Sequence, residues 1–277
     1  MSYGWPLVQG SMRSESGAVN LGTSTPVVNT AGVVPSFGAF TELVASTSFD
    51  ASSIFLSIFL TGTGNSRQCE FDLAIGAVAS EVVVLPGLMS AQRQNSRPST
   101  WAVTIPLFIP AGSRLSIRSR ATVATTAVVS CLLLASGFMS PATAVRGESI
   151  GIIGTTARGT DIDPGVVLNT KGAWSQITAA TVTDYTGMLI MIGGNLQDNV
   201  DTLDALIDVG IGAAASERII IPNIYNMTHS TMDVNAPQVL YVPMFIPAGS
   251  RLAARAQSSI TVALDRILSI VITGLIY

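Results

Sequence analysis

The stretch Val242-Pro243-Met244-Phe245-Ile246-Pro247-Ala248-Gly249-Ser250-Arg251-Leu252 nearly copies Ile105-Pro106-Leu107-Phe108-Ile109-Pro110-Ala111-Gly112-Ser113-Arg114-Leu115, which lies 137 residues earlier. A chain that writes one local pattern twice must build one local structure twice, and every larger arrangement has to accommodate both copies. Each copy reads as a strand, a tight turn and a second strand. With Pro at the second turn position and Gly at the fourth, the pattern suits a type I turn.

The match extends well beyond the turn. Phe71-Asp72-Leu73-Ala74-Ile75-Gly76 aligns with Ile207-Asp208-Val209-Gly210-Ile211-Gly212, and Ala79-Ser80-Glu81 with Ala215-Ser216-Glu217, at an offset of 136. Further back, Gly38-Ala39-Phe40 matches Gly172-Ala173-Trp174, and Phe55-Leu56-Ser57-Ile58 faces Leu189-Ile190-Met191-Ile192 at an offset of 134. Arg13-Ser14-Glu15-Ser16 resembles Arg146-Gly147-Glu148-Ser149, so the apparent linker belongs to the second copy. The chain divides into an extended N-terminal arm over 1–11, a first unit over 12–140 and a second over 141–277. Units of this length are duplicated domains, not solenoid repeats.

Within each unit the apolar pattern has period two. Phe71, Leu73 and Ile75 face one way and Asp72, Ala74 and Gly76 the other; Leu115 and Ile117 alternate with Arg114, Ser116 and Arg118. Short runs of Val, Ile and Thr punctuated by Gly, Pro, Asn and Ser predict an all-β fold: two tandem, duplicated, jelly-roll-like β-sandwiches of about eight strands each. The best helical candidate is 200–207, where Leu203, Leu206 and Ile207 share one side.

Composition narrows the class. The chain is 48% hydrophobic and 11% charged, with a mean hydropathy of +0.51 and a single lysine, Lys171. Lysine is the usual means of keeping surfaces and sheet edges solvated, so its scarcity favours a homo-oligomer with extensive subunit contacts. A net charge of −3 leaves no basic footprint for nucleic acid. Cys69 and Cys131 are expected as reduced thiols, with no disulfide framework around them. The N-terminus has the composition of an anchoring arm, carrying Tyr3 and Trp5, and lacks the pattern of a secretory signal. Residues 121–145 are uncharged over a bilayer-spanning length, but the equivalent stretch of the second unit carries Asp265 and Arg266, which argues against a membrane span.

No residue pattern marks a reaction. His229 is the one histidine and lacks recognisable triad or metal partners. Asp198, Asp201, Asp204 and Asp208 lack the spacing of a calcium loop. Gly62-Thr63-Gly64-Asn65-Ser66-Arg67 lacks the ending of a phosphate-binding loop and reads as a hairpin connection, and a hydrolase elbow is missing. No enzyme activity, cofactor or metal is expected. Arg114 with Arg118, and Arg251 with Arg255, share a strand face and could clamp an anion. Glu81 and Glu217 recur at matching places, so pairing of these acids and arginines across strands or between subunits is the simpler expectation.

With the motif Phe-Ile-Pro-Ala-Gly-Ser-Arg in both units and the lysine-poor Ala/Ser/Thr/Val texture, the chain resembles structural proteins of tailed bacteriophage virions: capsid decoration, head-fibre or tail-associated proteins. The resemblance implies a non-enzymatic virion component, assembled in the host cytoplasm, that contacts itself and other capsid or tail proteins through its sandwiches and arm. Tyr3, Trp5, Arg114, Arg118, Arg251, Arg255, Glu81 and Glu217 are its candidate interaction residues. The alternative is a lectin-like module that recognises a host-surface glycan. A hydrolase acting on a cell-surface polymer ranks third.

Overall fold

A computed structural model describes residues 19–20, 27–60, 67–92, 100–135, 144–194, 203–228, 237–263 and 266–277. The arm with Tyr3 and Trp5, the loop 61–66, His229, Asp198 and Asp201 lie outside them. Every named element is a strand. The first unit contains β1 (Val19–Asn20), β2 (Val27–Thr30), β3 (Gly32–Val33), β4 (Thr41–Val44), β5 (Ala51–Leu60), β6 (Arg67–Ile75), β7 (Val82–Gln92), β8 (Thr100–Ile105), β9 (Leu115–Ala121) and β10 (Thr126–Ala135). One sheet runs β1-β10-β5-β8, with β2 also on β10; the other runs β3-β9-β6-β7, with β4 also on β9. Two sheets that exchange strands in this order form a jelly roll of paired Greek keys. Ile54, Leu56, Ile58 and Leu60 point inward from β5 and meet Phe71 and Leu73 from β6, all fully buried. Each such side chain contributes about 1.5–3 kcal/mol of burial.

The second unit repeats the plan with β11 (Arg146–Ile150), β12 (Thr160–Ile162), β13 (Ser175–Thr178), β14 (Gly187–Gly194), β15 (Leu203–Ile211), β16 (Arg218–Thr228), β17 (Gln238–Val242), β18 (Leu252–Ser258) and β19 (Leu268–Ile276). Its sheets run β11-β19-β14-β17, with β12 on β19, and β13-β18-β15-β16. The helical expectation over 200–207 is overturned at 203–207, which belong to strand β15, and residues 200–202 lie outside the described residues. Leu203, Ala205, Ile207 and Val209 alternate into the core, and the small Ala205 among them, with half-buried Leu206 on the outer face, leaves the large apolar residues at a spacing that imitates a helical face. The alignment of the last strands also changes. Cys131 lies opposite Leu56, and Ile272 opposite Ile190, so Cys131 corresponds to Ile272, 141 residues on, and not to a position at the turn motif's offset of 137. Arg266 therefore falls before β19, where its guanidinium grips Asp163 at 2.6 and 3.0 Å.

The duplicated motif does not form a hairpin. It carries the chain from β8 in one sheet to β9 in the other, and from β17 to β18 in the second unit. Nor is its turn type I. The Ser113 N–H donates to the Pro110 carbonyl at 3.2 Å, and Ser250 to Pro247 at 3.3 Å, which places Pro first and Gly third. Gly112 and Gly249 have φ of 78° and 77°, the left-handed geometry of a type II turn. Each turn sits on a Thr-x-x-Asp segment. The Thr47 hydroxyl donates to the Pro110 carbonyl at 2.7 Å and the Ala111 N–H donates to Asp50 at 2.7 Å; Thr181 and Asp184 do the same for Pro247 and Ala248. This bracing fixes the register of both strands that follow.

The two sandwiches meet without twofold symmetry. The open side of the first, between β7 and β8, is closed by the outer face of the β11-β19-β14-β17 sheet, so Leu189, Met191, Val271 and Leu275 join the first core. Alternate residues of the same strands, Met188, Ile190, Ile192, Ile270 and Ile272, fill the second core. This sheet is buried on both faces. That explains why β19 reads Leu-Ser-Ile-Val-Ile-Thr-Gly-Leu-Ile, nearly unbroken in apolar character. At the joint the Met89 N–H meets Met191 Sδ at 3.2 Å and the Thr273 hydroxyl meets the Pro86 carbonyl at 3.4 Å. A Cβ on Gly87 would collide with Ser149.

Candidate functional site

Arg114 and Arg251 follow the turns directly, and the bracing aims both across the end of the sheet. Arg114 contacts Glu42 at 2.8 Å and Glu81 at 3.1 Å, and also donates to the Gly76 carbonyl at 3.3 Å. Arg251 contacts Gln176 at 2.9 Å, Glu217 at 2.8 Å and the Gly212 carbonyl at 3.1 Å. Each arginine thus ties the loop after β6 or β15 to the neighbouring edge. Burial alone would raise the Glu217 carboxyl, but backbone N–H groups and Arg251 outweigh it and hold the group below its ordinary range. Beside Arg114, an open depression of about 680 Å³ is lined by Ile75, Gly76, Val78, Val82 and Gly112.

Arg118 and Arg255 serve other carboxylates, so neither arginine pair is drawn into a shared clamp. Arg118 meets Asp72 at 2.8 Å, and Arg255 meets Asp208 at 3.0 Å. Both acids sit on the outer face of their sheets, almost fully buried. Asp72 also accepts the Gly87 N–H at 3.1 Å, and Asp208 accepts the Asn223 N–H at 3.0 Å and Lys171 at 2.8 Å. Aromatic rings roof these pairs. Arg118 lies 4.2 Å from the Phe37 ring and 4.8 Å from Phe40, while Arg255 lies 4.7 Å from Trp174. Burial tends to raise the Asp208 carboxyl, yet Lys171, the Asn223 N–H and Arg255 prevail and hold it below the usual range. For Glu70 burial prevails over Arg120 and the carboxyl is raised.

Sequence reasoning missed Lys171, Phe37, Thr47, Asp50, Thr181 and Asp184 as members of these networks. The repeated Thr-x-x-Asp at a spacing of 134 was the available signal. Asp204, from the acidic run, accepts a hydrogen bond from the Tyr225 hydroxyl at 2.6 Å and lies on the exposed face of β15. Cys69 and Cys131 are buried reduced thiols. Among the described residues there is no convergence of three or more His, Cys, Asp or Glu, and no helix long and apolar enough to cross a membrane.

Among the described residues, two sheet surfaces leave large apolar side chains uncovered. The outer face of the β1-β10-β5-β8 sheet presents Val28 and Phe55, 57% and 36% exposed, beside half-buried Phe59, Val128 and Leu132. On the far side of the second sandwich, β16 presents Tyr225 and Met227, 53% and 57% exposed.

No protein-family model matches the chain, and no curated protein matches it in sequence. Among solved structures, PNGF-II aligns at 9% identity with a TM-score of 0.36, over 96% of this chain and 63% of that one. This chain therefore spans somewhat less than two thirds of PNGF-II. The N-terminal CBM22-1-CBM22-2 tandem domain of Paenibacillus barcinonensis Xyn10C aligns at 10% identity and a TM-score of 0.26, over 96% of each chain. A structure of infectious bursal disease virus, Gt strain, aligns at 11% identity and a TM-score of 0.20, over 96% of this chain and 77% of that one. The assignment as two tandem jelly-roll sandwiches rests on the chain's own strand order.

Proposed function

We propose that the chain is a non-enzymatic structural protein of a virion, which decorates or stabilises a capsid or forms part of a tail or fibre appendage through contacts of its β-sandwiches. One observation carries this reading: the arginines and acids that could have formed a binding site brace the fold from within, while the outer sheet faces leave large apolar side chains uncovered. Phe55, Val28, Tyr225 and Met227 lie where water would otherwise have to wet a broad hydrophobic surface. Surfaces of this kind gain free energy when they are covered by another protein.

The test is to identify the chain by mass spectrometry in purified particles from its source, and to count its copies against the major capsid protein. A stoichiometric presence that survives washing in high salt is the expected result. Particles without the chain overturn the reading. Saturable, competable retention of the purified chain on a glycan array, together with absence from particles, would establish the lectin-like alternative instead.

A further inference from the structure

The joint inside the chain brings together two kinds of surface: the open side of one sandwich, bearing β7, and the outer face of a sheet in the other. Because the units are duplicates, each kind of surface occurs twice. One of each is used at the joint; the other two are the outer face of the β1-β10-β5-β8 sheet and the open side bearing β16. We infer that these two remaining surfaces bind each other between copies of the chain, giving a head-to-tail assembly that repeats the internal joint. This deepens the assembly role proposed above and rests on it.

The strand positions carry the inference. Val84, Leu85, Met89 and Ala91 of β7 are 5%, 0%, 2% and 2% exposed. Equivalent register places Ile220, Ile221, Tyr225 and Met227 at those points of β16, where the first two are only half-buried and the last two are 53% and 57% exposed. The backbone around them is the same. Pro86-Gly87 and Pro222-Asn223 interrupt their ladders at one place, Gly87 and Asn223 have φ of 70° and 52°, and both N–H groups are fixed by the matching Asp72 and Asp208. The receiving face also corresponds. Leu189, Met191 and Thr273, which take up β7, stand where the first unit has Phe55, Ser57 and Leu132.

No charged residue occurs at the described outer positions of β5, β8 and β10 in the receiving sheet. Across the inferred contact Phe55, Phe59 and Leu132, set among Ser57, Ser130 and Thr104, meet Ile220, Ile221, Tyr225 and Met227, with Asp204 tied to the Tyr225 hydroxyl at the border. The fit is looser than the internal one, because Asn223 replaces Gly87 and the larger Phe59 stands where the second unit has Gly193. Unlike surfaces that meet in this way form a heterologous contact, which grows into a ring or a filament according to the rotation between copies.

Complementation between two variants tests this directly. Phe55→Glu with Phe59→Ser spoils the receiving face and leaves β16 intact; Tyr225→Ser with Met227→Glu does the reverse. Light scattering of the full chain is expected to show assemblies larger than a dimer that grow with concentration or close at a fixed number. Each variant alone is expected to be monomeric, with thermal unfolding like that of the original chain. Mixed in equal amounts, the variants are expected to form a one-to-one dimer and nothing larger.

An original chain that stays monomeric at all concentrations overturns the inference, as does assembly that survives both pairs of substitutions. Mixed variants that remain monomeric overturn it too, because a heterologous contact must be restored by the mixture. A monomeric chain that is nonetheless found in particles separates the two ideas: the virion role stands and head-to-tail binding fails.

Discussion

Asp208 and Arg255 face each other across β15 and β18, with Nε 3.0 Å from the carboxylate, and Asp72 and Arg118 hold the same relationship in the first unit. Asp208 alone also holds a lysine. Asp208→Asn removes the shared charge from Lys171 and Arg255 and is expected to cost about 2–4 kcal/mol, below the upper range for a buried pair because both cations are partly exposed. Urea unfolding at neutral pH measures it.

The same carboxylate makes stability depend on pH. Its folded-state value lies below the ordinary one, so its contribution is fully present above the unfolded-state value of about 3.9 and is lost as pH falls through the lower folded-state value. Original chain and Asp208→Asn are therefore expected to converge in stability under acid conditions. A difference that stays constant with pH would contradict the ionic origin.

The two turns offer a test of backbone conformation free of packing. A Cβ at Gly112 or Gly249 meets nothing within 4 Å, so only the positive φ resists substitution. Alanine at either position is expected to cost about 1–2 kcal/mol, and asparagine less, because it tolerates the left-handed region. Thermal melts of the four variants decide this.

Gly87→Ala places a methyl group against Ser149 at a positive φ. The expected outcome is a joint that loosens while both sandwiches remain folded. Calorimetry should then resolve two transitions where the original chain shows one, since cooperativity between domains depends on their contact.

Cys69 and Cys131 should be inert in the native protein, because burial pushes both thiols up to about 12 and denies reagent access. A thiol-reactive dye is expected to label neither at neutral pH and both in denaturant. Rapid native labelling would show that the first core opens.

Much of the architecture was legible from residues. The alternation of Phe71, Leu73 and Ile75 announces a strand with one core-facing side, and the repeated Pro-Ala-Gly-Ser-Arg locates equivalent crossings between sheets. What was hidden depends on partners distant in the chain. Whether Pro110 opens the turn or occupies its second place is decided by Thr47, more than sixty residues away. Leu203, Leu206 and Ile207 imitate a helix because the inward position between them is the small Ala205, while Leu206 lies on the outer face, half-buried by its neighbours on other strands. Arg118 and Arg255 suggested an anion site because their carboxylates, Asp72 and Asp208, lie on other strands. The Asp72 and Asp208 match was visible, but not the rings of Phe37 and Trp174 over the arginines.

The doubly buried sheet has a consequence for synthesis. A ribosome releases β1 to β10 well before β14 and β19 exist, so the first sandwich emerges with its side open and Leu85 and Met89 exposed to water. Leu189 and Met191 arrive later, and Val271 and Leu275, which also belong to the first core, later still. The half made first is therefore the half finished last, and nascent chains stalled between residues 150 and 270 carry an apolar flank for chaperones to shield.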